Sequence, residues 1–338
     1  MQKGYIKDRI FKGSSGLSQG IFVTLGIGLL LENIGKMLGF APLIAVGTVT
    51  KMLMAPGIGA GIAFALGANA LTIFSAMAAS TLGAAAMTIT PEVGVLIKTG
   101  EPIGAVLAGI VATFVGKKVS GKTSLDMMLV PLASVVIGGL FGFYVSQFVA
   151  PILNTVGGAI TGATQSNLIV SSIVISLLWA ILLVSPASSV ALGIALALNG
   201  HASGAALIGC TATFVAFVIM SFKENNMGAI LAVGLCTPKV QLPNVTRNLK
   251  VMIPALVAAA IAAPITVAVL DFTTETALAG MGLCSLVAPI SILGSQGVKG
   301  LMIYIAGGIV IPAVVSYIVY FAMKKKGMIK EGDLKMEA

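Results

Sequence analysis

The chain has 338 residues, of which 57% are hydrophobic and only 9% charged, with a mean hydropathy of +1.06. A soluble domain carries about 25% charged residues, so a globular enzyme of this length is excluded. An outer-membrane barrel is excluded too, because the apolar runs are continuous and do not alternate with period two.

The net charge of +9 gathers in the end segments and a few loops. That placement matches topology signalling and attraction to anionic headgroups, and it gives no support to nucleic-acid binding. Residues 1–17 are expected to form an amphipathic interfacial helix. Tyr5, Ile6, Ile10 and Phe11 would face lipid there, while Lys3, Lys7, Arg9 and Lys12 reach for headgroups. A transmembrane domain is expected over 18–323 and a basic cytoplasmic tail over 324–338.

The first span is predicted from about Ser18 to Leu38, with Glu32 and Lys36 one turn apart near its end. Interrupted apolar stretches follow at about 41–55, 57–74 and 75–90, then a polar interruption from Thr88 to Pro102. Further spans are predicted at about 102–116 and 126–150, with a Gly/Thr/Asn-rich break from Asn154 to Asn167. Beyond it, 168–184 and 186–199 are separated by Pro186. The remaining spans fall at about 202–222, 227–237, 251–270, 277–298 and 300–323.

These elements describe an all-α polytopic membrane protein with about ten transmembrane helices and short re-entrant hairpins. Positive-inside counting puts the Lys117–Lys122 loop and both termini in the cytoplasm, which requires an even number of crossings. A weak internal echo suggests two similar halves. Leu125 to Ser134 resembles Leu249 to Ala258, and Thr90-Pro91-Glu92 resembles Thr237-Pro238-Lys239. Duplicated halves with interrupted spans at corresponding places are a transporter pattern.

Polar side chains at membrane depth are the candidates for function. The first cluster is Thr90 and Glu92, where Pro91 frees backbone carbonyls and the carboxylate offers an acceptor to a hydroxyl; the alternative is a solvated loop. In the second, Thr237, Lys239, Gln241 and Asn244 lie among two prolines, directly after an apolar run. A segment of that composition lines a cavity or an aqueous loop, and these residues would contact a polyol or an anionic group. The third is Ser185-Pro186-Ala187-Ser188-Ser189 with Asn199 and His201, the only histidine and a candidate proton carrier. Asn69 and Asn167 are further candidates of the same kind.

Cys210, Cys236 and Cys284 are dispersed, so neither a metal site nor any cofactor is expected. No HExxH is present and no soluble domain that could hold a nucleotide is expected, so no autonomous catalytic residue is expected.

Several stretches carry a family resemblance. Asp8-Arg9-Ile10-Phe11-Lys12-Gly13 through Glu32-Asn33-Ile34-Gly35 resembles the start of the enzyme IIC-like proteins of the phosphoenolpyruvate-dependent sugar phosphotransferase system, which include the PfoR-type toxin regulators. Gly100-Glu101-Pro102-Ile103-Gly104 to Gly109, then Lys117-Lys118 and Leu129-Val130-Pro131-Leu132, is similar to a stretch of fructose-type enzyme IIC domains. The segment from Gly234 through Pro254 resembles their substrate hairpin.

This resemblance implies a bacterial cytoplasmic-membrane permease for a sugar or related polar solute, with ten spans, a midplane cavity and homodimerisation. Membrane lipid and soluble phosphoryl-carrier proteins would be its other partners. The family hairpin carries a Gly-Ile-Thr-Glu motif whose Glu contacts the sugar hydroxyl. This chain has Gly234-Leu235-Cys236-Thr237 there, without the carboxylate, and Glu92 is the candidate substitute. A PfoR-like solute sensor that has lost phosphoryl transfer is the alternative reading.

Overall fold

The computed structural model describes residues 3–90, 94–185 and 188–336. The chain divides into two compact units, residues 1–156 with 194–196, and residues 157–193 with 197–338.

The first unit begins with α1 (Lys3–Ile21), a π-helical turn at Phe22–Gly26 and α2 (Ile27–Leu38). Helical backbone is therefore continuous from Lys3 to Leu38, with no break at residue 17. The π turn absorbs an extra residue without ending the helix. Gly39 in the left-handed conformation (φ 64°) terminates α2.

α3 (Ala41–Met52) and α4 (Met54–Ala65) follow, bent by 58° at Leu53. Next come α5 (Ala70–Gly83) and strands β1 (Met87–Thr90) and β2 (Gly94–Ile97). The polar interruption is thus an antiparallel hairpin in which Met87 pairs with Ile97 and Thr90 with Gly94. Thr88, Ile89, Thr90, Val95 and Ile97 are β-branched and favour extended backbone, and a proline at position 91 disfavours helix in the residue before it. α6 (Pro102–Val119) and the first part of α7 (Asp126–Ser166) complete the unit.

Glycine lets these helices touch along their backbones. A Cβ on Gly20 would collide with the Gly57 carbonyl, and one on Gly83 would meet the Gly104 carbonyl at 2.5 Å. Close crossings of this kind replace the hydrophobic drive that lipid does not supply. Ser80 adds a hydrogen bond from Oγ to the Ala105 carbonyl at 2.8 Å. Glu32 pairs with Lys36 at 2.6 Å and also with Lys51, tying α2 to α3.

The expected break from Asn154 to Asn167 is absent, since α7 runs through to Ser166. Glycine and threonine lower helix propensity by only about 0.5–1 kcal/mol each. Thr155 and Thr164 direct their hydroxyls to the carbonyls of Pro151 and Thr161 within the helix. The break shrinks to Asn167, which caps α8 (Leu168–Val184).

The second unit continues with residues 189–193 of α9 (Ser189–Ala195), then α10 (Gly200–Ser221), α11 (Met227–Leu231) and α12 (Leu242–Arg247). It closes with α13 (Ile253–Pro264), α14 (Val287–Tyr304) and α15 (Ile311–Lys325). α10 is its axis, buried along nearly its whole length. α13 runs antiparallel to it: Ser203 at one end of α10 bonds Thr274, and Phe217 and Met220 at the other pack with Val251 and Met252.

Six helical stretches among the described residues are long and apolar enough to cross a membrane, or seven if α3 and α4 form one bent span. Three predicted spans are instead interrupted. The 186–199 stretch contains the seven-residue α9, and 227–237 contains α11 and a π segment, Ala232–Cys236. The 277–298 stretch begins as loop and 3-10 turns before α14.

Candidate functional site

The three interruptions of the second unit meet around the middle of α10. α11 and its π segment run into Thr237, whose side chain caps a short 3-10 turn at Pro238–Gln241 by accepting from Lys239 N at 3.3 Å. The chain then folds back through α12. Pro238 and Pro243 dictate this local form, because neither can donate the backbone bond that a continuing helix needs. The tip of this hairpin is Cys236-Thr237-Pro238-Lys239.

The π segment packs against the Cys284–Leu286 turn, which belongs to a loop of unusual backbone. Gly280 (φ 82°) and Gly282 (φ 59°) are left-handed, and so are Ser285 (φ 45°) and Leu286 (φ 57°). The two non-glycine residues cost roughly 1–2 kcal/mol each in that region, and strain of this kind concentrates at ligand sites.

Hydrogen bonds hold the loop in place. Tyr304, fully buried, shares its hydroxyl between Thr211 Oγ1 at 2.8 Å and the Gly282 carbonyl at 3.3 Å. The Ser189 hydroxyl donates to the Gly280 carbonyl at 3.0 Å, and Trp179 Nε1–H donates to the Ser189 carbonyl at 3.2 Å. Cys210 in α10 donates from Sγ to the Trp179 carbonyl at 3.5 Å.

Lys239 brings the charge. It is half-buried and within electrostatic reach of Cys210. Together the junction offers hydroxyls, freed carbonyls and one cation, a set suited to recognising hydroxyl or acidic groups. None of the residues named at the junction is a carboxylate. Among the described residues no group of three His, Cys, Asp or Glu gathers for a metal ion.

The sequence-predicted residues separate. Thr237 and Lys239 lie at the tip. Gln241 and Asn244, on the returning arm, are buried and bond the tail: Gln241 Nε2 donates to the Leu334 carbonyl at 3.1 Å, and Asn244 Nδ2 to that of Lys335 at 3.0 Å. His201 Nε2 lies 2.8 Å from Asp271 Oδ1, at the end of α10 away from the tail. Asn69 belongs to the first unit, where it caps α5 and donates to Ser120 Oγ at 2.8 Å. Thr90 closes β1, while Glu92 and Pro186 lie outside the described residues.

Sequence reasoning missed Trp179, Tyr304 and the Gly280–Leu286 loop. Paired glycines one residue apart, beside Ser285 in an apolar run, were the available signal.

A cavity lies at the open end of the hairpin. It measures about 570 Å³ and lies between Ala229 and Ala232 on one arm, Val240 and Pro243 on the other, and Lys335 of the tail.

The family described as Phosphotransferase system, EIIC matches residues 11–336. No curated protein matches the chain.

Proposed function

The chain belongs to the phosphotransferase system EIIC family, and on that premise we propose that it is a multi-pass permease that binds a sugar or related polar solute and moves it by alternating access. The convergence of three interrupted segments on the middle of α10 carries this reading. Backbone freed from helical pairing inside a membrane protein must line a cavity or be covered by protein, and transporters place their substrate at such breaks.

Thr237, Lys239, Ser189 and Ser285 are the groups assigned to the solute. The hairpin through Cys236–Lys239 and the loop through Gly280–Leu286 are read as entering the membrane from opposite sides. Counting bent and broken helices as crossings gives about ten spans in a bacterial cytoplasmic membrane. The basic Lys117–Lys122, Arg247–Lys250 and Lys324–Lys326 segments are then cytoplasmic, and homodimerisation and soluble phosphoryl carriers follow from the family.

One observation favours a second reading. The hairpin tip carries Cys236-Thr237 where the family pattern has a carboxylate, so a solute sensor without phosphoryl transfer is the competitor. Uptake of a labelled sugar panel, with chemical analysis of the internal product, separates the two. Phosphorylated sugar that depends on carrier proteins establishes group translocation, and free sugar establishes transport without it. No uptake by correctly inserted protein favours the sensor.

A further inference from the structure

Beyond α15 the tail turns at Gly327 (φ 65°) and lies back across the second unit. Two side chains anchor it: Ile329 is 1% and Leu334 0% exposed, in a cluster with Val233 and Val245 from the two arms of the hairpin. Ladders of polar side chains grip its backbone from two places.

From the α10–α11 connection, Glu224 Oε2 accepts from the amides of Gly332 at 3.2 Å and Leu334 at 3.1 Å. Asn225 donates to the Leu334 carbonyl at 2.9 Å and accepts from Met336 N at 2.7 Å. From the returning arm come the bonds of Gln241 and Asn244 described above. Asn248 adds donations to the Met328 carbonyl at 3.2 Å and Asp333 Oδ2 at 2.8 Å.

We propose that residues 328–336 are a latch that fastens the two ends of the 227–247 hairpin together and walls the cavity between its arms, so that the hairpin moves only when the latch lifts. The tail touches the entering and the returning side of the hairpin at once, and Lys335 and Met336 line the 570 Å³ cavity along with both arms. Lys330, Glu331, Gly332 and Lys335 of the latch are exposed, and Ile329, Leu334 and the bonds above hold the rest, so it lifts without unfolding the helices beneath it. As a gate the latch rests on the transport reading above.

Amide hydrogen exchange on the full chain in lipid nanodiscs tests it, and it reads the hairpin whether or not the chain moves a solute. Leu334→Asp is expected to speed exchange over 228–246 by about tenfold or more, leaving 202–220 and 253–264 unchanged. Leu334→Ala, the milder variant, shifts the same amides in the same direction by less. Unchanged hairpin exchange in both variants overturns the proposal. So does loss of protection throughout α10 and α13, which would make the tail an ordinary part of the core.

Discussion

Gln241 donates from Nε2 to the carbonyl oxygen of Leu334 at 3.1 Å, a contact across 93 residues of chain. Gln241 Oε1 in turn accepts from Asn244 Nδ2 at 2.7 Å, so one buried amide organises both the returning arm and the tail. Replacing Gln241 with Leu removes one bond from each partner, while Asn225 still donates to the Leu334 carbonyl and Asn244 still donates to that of Lys335, so each lost bond costs about 1 kcal/mol. The variant is expected to lose its folded form at a clearly lower temperature than wild type in detergent. An unchanged melting curve would mean water replaces the amide there.

Thiol labelling maps the junction. Cys236 is exposed, Cys284 intermediate and Cys210 buried. A membrane-impermeant maleimide should therefore modify Cys236 first and leave Cys210 untouched until the protein is denatured, with each site identified by peptide mass. Reaction at Cys210 in the folded chain would contradict the packing of α10, and silence at Cys236 would mean that lipid, not water, covers the tip.

The crossing of α1 and α4 depends on Gly20 and Gly57, whose backbones touch. Gly20→Leu inserts a side chain where a carbonyl lies, and overpacking of this kind costs about 1–3 kcal/mol or more. The yield of monodisperse protein should fall several-fold in size-exclusion chromatography. Gly13→Leu, at a position with open space around it, should behave as wild type.

The membrane class and the apolar segments were legible because hydropathy is additive along the chain and needs no knowledge of neighbours. The interruption at Thr237-Pro238 was legible because proline removes a donor wherever it stands. Two local readings failed for local reasons. Asn154 to Asn167 looked like a break by composition, but glycine and threonine lower helix propensity without ending a helix, and α7 runs through to Ser166. Thr88 to Pro102 looked like polar loop, yet the cross-strand register of Met87 with Ile97 makes it a hairpin.

What the amino-acid order by itself determined is therefore a polytopic helical membrane protein of recognisable family, with its broken segments and its basic ends in place. Only the tertiary structure decided what the polar groups at those breaks do. Gln241 and Asn244 look identical in sequence to solute ligands, and they became tail ligands because Leu334 and Ile329 bury nearby. Gly280–Leu286 became part of the junction because Ser189 and Tyr304, 91 and 22 residues away from their partners, fix its carbonyls. A side chain's donors and acceptors are read from its own chemistry, but their partners are set by long-range packing, which no local pattern encodes.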